Sequence, residues 1–125
     1  MKEKTIATCI FLSIIGLLVL ITVMQWFLFD YGDNNFQATI EAAIVSAADG
    51  DWDNAEEQAK KANDIWNNGN FIVAVKYAET DYIFLNVYLT RFQTAIKQRD
   101  ADEVAKEGYA SLYIFNNITS IVPQP

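Results

Sequence analysis

Residues Thr5 to Phe29, "TIATCIFLSIIGLLVLITVMQWFLF", carry no charged side chain. Beyond them apolar positions recur every third or fourth residue. The first pattern predicts a membrane-crossing helix and the second a set of amphipathic helices. At 1.5 Å rise per residue the charge-free run spans roughly 37 Å, against about 30 Å for a hydrocarbon core. Three other readings fit less well. A cleaved secretory signal has an apolar core of about 7–15 residues and small residues at its cleavage site. Here Gln25, Trp26, Phe27, Leu28 and Phe29 follow instead. A lipoprotein signal places its cysteine after the apolar stretch, whereas Cys9 lies near its beginning. A buried core helix of this length without a charge is unusual in so short a chain. A single uncleaved transmembrane helix is expected.

Downstream, the periodicity predicts four helices and no competing strand. The first covers about Phe36 to Ala48, with Phe36, Ile40, Ala43 and Ala47 on one stripe. The second covers about Trp52 to Asn67, with Trp52, Ala55, Ala59, Ala62 and Trp66 on its seam. The third is long, about Phe71 to Arg99. Its Phe71, Val75, Ala78, Tyr82, Leu85, Leu89, Phe92 and Ile96 alternate steps of four and three, as a bundle seam requires. The fourth covers about Ala101 to Val122, with Ala105, Gly108, Leu112, Phe115, Thr119 and Val122 in line. Gly50 and Gly69 are expected to cap helix C-termini. Gly108 is expected to accept a bulky neighbour, Trp52 or Trp66. The expected fold is all-α: one transmembrane helix, then an antiparallel bundle of about four helices built as two αα-hairpins. The expected division is residues 1–30 for the cytoplasmic terminus and membrane helix, and 31–125 for the bundle.

Charge adds an orientation. Lys2 and Lys4 precede the apolar run and Asp30 and Asp33 follow it, so the amino terminus is expected in the cytoplasm and the bundle outside. Trp26, Phe27, Phe29 and Tyr31 would form the outer aromatic belt. With Glu3, Lys2 and Lys4 set aside, fifteen acids face seven basic residues in the outer part, a net charge of −8. That disfavours nucleic acid and anionic lipid as partners. The expected contact with the bilayer runs through residues 5–29.

The stretch "GDWDNAEEQAKKANDIW", Gly50 to Trp66, opens with acids that admit two readings. Asp49, Asp51 and Asp53 stand at alternate positions, as calcium ligands do, but the rest of such a loop is missing and Trp52 is apolar. The alternative is a helix start: Asp51 or Asp53 as N-cap, with Asp53 and Glu56 as a capping box. A second stretch, "RDADEVAKEG", aligns Asp100 with Asp51 and Asp102 with Asp53, and repeats Asp-x-x-Glu at a helix start. The same turn chemistry twice favours capping.

The order of a short membrane helix, then "GDWDNAEEQAKKANDIW", then "NVYLTRFQTAIKQRDADEVAKEGYASLYIFNNI" resembles the bacterial family catalogued as domain of unknown function 4363. Its members are short, membrane-anchored helical proteins of Gram-positive bacteria, and the likeness covers almost the whole chain. Family members tend to carry a histidine among acids early in the third helix. Here that region reads "KYAETDYIF", so no role for that histidine carries over. The resemblance implies location and architecture. It implies no activity.

Histidine is absent, which removes the commonest general base and metal ligand together, and the single cysteine excludes an internal disulfide. No glycine-rich phosphate loop occurs. The pairs Glu79/Asp81 and Asp100/Asp102 lack a partner that would raise one carboxyl, so no enzyme, no cofactor and no metal site is expected. "YIFLNVYLT", Tyr82 to Thr90, is uncharged for nine residues. It reads as a central helix touched on several sides, or as one with an edge left for a partner. The partner surface would comprise Phe84, Val87 and Tyr88, with Tyr77, Tyr109 and Tyr113 extending it. The expected function is a single-pass anchored bundle that binds or braces another membrane or envelope protein. The alternative is an extracytoplasmic ligand-sensing bundle acting through a membrane partner. Four residues inside leave no room for an output domain of its own.

Overall fold

The computed structural model describes residues 2–32, 35–76 and 79–119, with residues 71–76, 79 and 80 as backbone alone. These residues form five helices: α1 (Lys2–Phe29), α2 (Phe36–Ala48), α3 (Trp52–Lys76), α4 (Glu79–Lys97) and α5 (Ala101–Thr119). No strand occurs among them. α2 packs against α3 and α5, α4 packs against the same two, and α1 packs against α3. The whole is a helical bundle with one long apolar helix at its amino end.

α2, α3 and α5 start where a side chain takes up a free backbone amide. Asn35 is extended, and its Oδ1 accepts from the Ala38 amide at 2.9 Å, opening α2. Asp51 Oδ1 accepts from the Asn54 amide and Asp100 Oδ1 from the Glu103 amide, both at 3.2 Å. The cap of α3 is therefore Asp51. Asp53 is already inside the first turn, so the expected Asp53–Glu56 capping box does not form; Asp53 instead places a negative charge at the positive end of the helix.

The two tight turns share one construction. After α2, the Gly50 amide donates to Ala47 O at 3.1 Å and the Asp51 amide to Ser46 O at 2.8 Å. After α4, the Arg99 amide donates to Ile96 O at 3.0 Å and the Asp100 amide to Ala95 O at 3.1 Å. This paired bonding is the Schellman ending, and it needs a left-handed residue. Gly50 supplies it at φ 78° and Arg99 at φ 54°. The left-handed residue is followed at once by the aspartate that caps the next helix. The repeated "GD" and "RD" stretches are thus the same turn made twice.

The seams are buried as their spacing demands. Phe36, Ile40, Ala43 and Ala47 are buried on α2, Ala55, Ala59, Ala62 and Trp66 on α3, and Leu85, Leu89, Phe92 and Ile96 on α4. On α5, Val104, Leu112, Phe115 and Ile118 are buried. Near the turns, Gly108 sits against Ile44 and Phe92; a β-carbon there would fall 2.7 Å from Ile44 Cδ1 and 2.9 Å from Phe92 Cε2. Its expected partner, Trp52 or Trp66, is thereby corrected. Trp52 is half-buried at the edge of the core rather than inside it.

At the opposite end lies an aromatic layer. Phe29 stacks on Trp66 at 5.8 Å and meets Phe115 edge-on at 5.2 Å; Phe36 lies 4.2 Å from Phe115, and Tyr82 5.6 Å from Trp66. Burying rings of this size stabilises the fold by about 1.5–3 kcal/mol each. Trp66 Nε1 donates to Asn86 Oδ1 at 2.8 Å, so the indole is buried without losing its polar partner. Phe29, expected in the aromatic belt, is fully buried in this layer.

The helix boundaries around Gly69 are also corrected. Gly69 does not end a helix; α3 runs through it to Lys76. A β-carbon at Gly69 would come 2.7 Å from Phe29 Cζ and 3.3 Å from Leu28 Cβ. The glycine is there because α1 presses against that face. Residues Phe71–Lys76 therefore belong to α3, and the expected third helix starts at Glu79 instead of Phe71. Ala78 and Val122 of the expected seams, and Tyr77 of the expected partner surface, lie outside the described residues.

Candidate functional site

α4 has two unlike faces. Leu85, Leu89, Phe92, Ala95 and Ile96 face the core. On the other side Ile83 and Phe84 are each 49% exposed and Val87 is 41% exposed. An open groove of about 460 Å³ runs along Ile83, Asn86, Val87, Thr90 and Arg91. Thr90 and Thr94 turn their hydroxyls back onto the helix, Thr90 Oγ1 donating to Asn86 O and Thr94 Oγ1 to Thr90 O, each at 2.9 Å. Both thus satisfy their polar atoms within the helix. Tyr88 is half-buried, with the Arg91 guanidinium 5.6 Å from its ring centre.

Tyr109 and Tyr113 stand one turn apart on α5, 59% and 68% exposed. α5 turns Val104, Gly108, Ser111 and Phe115 to the core and Glu103 and Glu107 to α4, where they line a groove with Thr90, Arg91, Thr94 and Gln98. Tyr109 and Tyr113 are not among the residues that line it. Of the residues expected to make one partner surface, Phe84, Val87, Tyr109 and Tyr113 are exposed and Tyr88 is half-buried. Ile83 is absent from the expected set but lines the α4 groove with Val87; its spacing of four from Val87 is the signal for it.

Between α3 and α4 a groove of about 320 Å³ is lined by Glu56, Ala59, Lys60, Gln93, Ile96 and Lys97. It lies between the levels of Trp52 and Trp66, but it opens at the surface. Beside it on α3, Ala55, Ala62 and Ile65 are buried. The acids at Asp49, Asp51 and Asp53 are all exposed, and among the described residues no three acidic or thiol side chains are grouped as a metal site would need.

Two buried polar oxygens lack a partner among the described residues, Glu107 Oε2 and Gln25 Oε1. Glu107 shares its groove with Arg91, a cation of its own chain. Gln25 is more informative. It is the last polar residue of the apolar run, it is buried, and its Nε2 donates to Thr119 O at the end of α5 at 2.6 Å. Thr119 O is one of the carbonyls that a helix end leaves free. The final two turns of α1 thus join the bundle through Gln25, Leu28 and Phe29 on one side. Their other side exposes Trp26 and Phe27, which gather around Tyr31 at ring separations of 5.3 Å. Beyond them the Asp30 carboxyl is held above its ordinary value by desolvation.

The fold and these surfaces define an all-helical protein with one helix long and apolar enough to cross a membrane near its amino end. No family model matches the chain, and no curated protein or solved structure matches it significantly.

Proposed function

We propose that the chain is a single-pass membrane protein whose outer bundle, an antiparallel set of four helices, binds or braces another membrane or envelope protein. α1 is the anchor, with the amino terminus in the cytoplasm and the bundle outside; the flanking charges support that orientation. The observation that carries the partner reading is the outer face of α4. It leaves apolar side chains and an open groove in view, while Leu85, Leu89 and Phe92 on the inner face are buried. Exposed apolar surface of this kind marks interaction sites. An all-helical chain with one long apolar helix is also what the resemblance to domain of unknown function 4363 implies.

Photo-crosslinking amino acids at Val87 and Tyr113, used in native membranes, test this. Discrete adducts with an envelope protein are expected from at least one position. Adducts with lipid or with the chain itself alone would overturn the reading. A tag fused after Pro125 should be accessible to protease in intact protoplasts.

The second reading is a ligand-sensing bundle, which the groove between α3 and α4 favours. A ligand there should raise the thermal midpoint by mass action, and Ala59→Leu, which fills the floor, should abolish the rise.

A further inference from the structure

We propose that the bundle does not stand clear of the bilayer but rests on it, with Ile83 and Phe84 of α4 set in the lipid headgroup layer beside Trp26, Phe27 and Tyr31. This rests on the reading of α1 as a membrane anchor and goes beyond it.

The contacts fix the height. Phe29, the last residue of α1, lies in the same aromatic layer as Trp66 and Tyr82. Ile83 and Phe84 directly follow Tyr82 and are exposed. They therefore stand at the level where the charge-free run of α1 ends. That run exceeds the hydrocarbon thickness by roughly 7 Å, so with Lys4 at the inner boundary the Phe29 layer falls within the outer headgroup region. Large apolar side chains at that depth, next to an aromatic cluster, are what an interfacial contact uses.

The bonding of Gln25 agrees with this placement. Its amide meets the end of α5 at 2.6 Å, so the bundle already sheathes one side of α1 before the apolar run is over. A bundle held so low must have its rim against lipid. The occupant is zwitterionic lipid, because the outer part of the chain carries a net charge of −8. The exposed Asp30 and the half-buried Asp81 stand at the same end. The seating takes Ile83 and Phe84 into lipid and leaves Val87, Thr90 and Arg91 above it for a protein.

The test uses the full chain with Cys9→Ser in phosphatidylcholine vesicles. An environment-sensitive fluorophore is placed in turn at Ile15→Cys, Phe84→Cys and Asp102→Cys. Lipids brominated near the top of the acyl chain quench from the membrane side, and iodide quenches from water. The label at Phe84→Cys is expected to be blue-shifted, quenched by the brominated lipid and protected from iodide. The label at Asp102→Cys, near the far turn, should respond to iodide alone. If Phe84→Cys behaves like Asp102→Cys while Ile15→Cys is quenched by lipid, the seating is wrong and the anchor stands. If Ile15→Cys is not quenched by lipid either, the anchor reading fails with it. If Phe84→Cys is protected from both quenchers, a second copy of the chain covers it and the lipid seating is overturned. Far-ultraviolet circular dichroism confirms that each labelled variant keeps its helix content.

Discussion

Gly69 of α3 and Phe29 of α1 touch so closely that a single added carbon would collide: a β-carbon at Gly69 would lie 2.7 Å from Phe29 Cζ. The ring cannot retreat, because Trp66 and Phe115 hold it from two sides. Gly69→Ala gains about 1 kcal/mol of helix propensity, but overpacking costs about 1–3 kcal/mol. The expected result is a net loss of about 1 kcal/mol in the full chain in detergent micelles. In a Phe29→Ala background the loss should disappear and the alanine should become neutral or stabilising. A loss unchanged by Phe29→Ala would mean the two residues do not meet.

Trp66 and Asn86 form a half-buried hydrogen bond in the aromatic layer. Asn86→Ala leaves the indole N–H without its acceptor, and a destabilisation of about 1–3 kcal/mol is expected. Trp66→Ala removes the ring itself and should cost about 3–5 kcal/mol. Trp52→Ala, at the edge of the core, should cost clearly less than Trp66→Ala. Denaturant melts of the three variants check this ranking, and equal losses at the two tryptophans would contradict the difference in their burial.

The two Schellman turns predict effects of opposite sign at equivalent positions. Arg99 holds a left-handed backbone that glycine adopts without strain, so Arg99→Gly should stabilise by about 0.5–1 kcal/mol. Gly50→Ala should destabilise by about 1 kcal/mol, since alanine resists that conformation. Thermal midpoints that move in the same direction for both variants would show the turns are not alike.

The acids at the start of α3 act as helix chemistry. Asp51→Ala and Asp100→Ala are each expected to cost about 1 kcal/mol, while Asp51→Asn stays near neutral because asparagine also caps. Asp53→Ala, one residue inside, should change stability by less than about 0.5 kcal/mol. Calcium should shift the wild-type midpoint no more than equal ionic strength does. A saturable calcium shift removed by Asp51→Asn would sink the capping explanation.

The helices themselves were legible wherever a seam met a punctuating residue. Phe36 to Ala48 is read from its stripe to the residue, because Asn35 caps it and Gly50 terminates it. Arg99 gave no such signal, since nothing local marks an arginine for the left-handed region. Gly69 misled for a related reason. A glycine after an amphipathic stretch is ambiguous between an ending and a close contact, and only the position of Phe29, some forty residues earlier, decides between them. The division at residue 30 likewise cuts beside Phe29 and Gln25, whose burial against α3 and α5 is a long-range contact invisible to periodicity. On the surface side, the exposure of Phe84 and Val87 followed from their offset from the Leu85 seam. Local spacing does not say on which side of α5 Tyr109 and Tyr113 fall relative to α4; that depends on the rotation of α5 about its own axis within the bundle.

With α1 as the proposed membrane anchor, its joint to the bundle makes hydrophobic mismatch a mechanical input. A helix on a flexible tether can tilt to suit a thinner bilayer while its outer domain stays upright. Here Gln25, Leu28 and Phe29 clamp the helix to α3 and α5, so any tilt of α1 rotates the bundle as one body. For a tilt of roughly 20° and a bundle about 27 Å tall from Gly69 to Asp51, the far turns swing sideways by roughly 9 Å. The acidic turns at Asp51 and Asp100 thereby become the pointer of a lever whose other arm is the membrane-crossing length of α1.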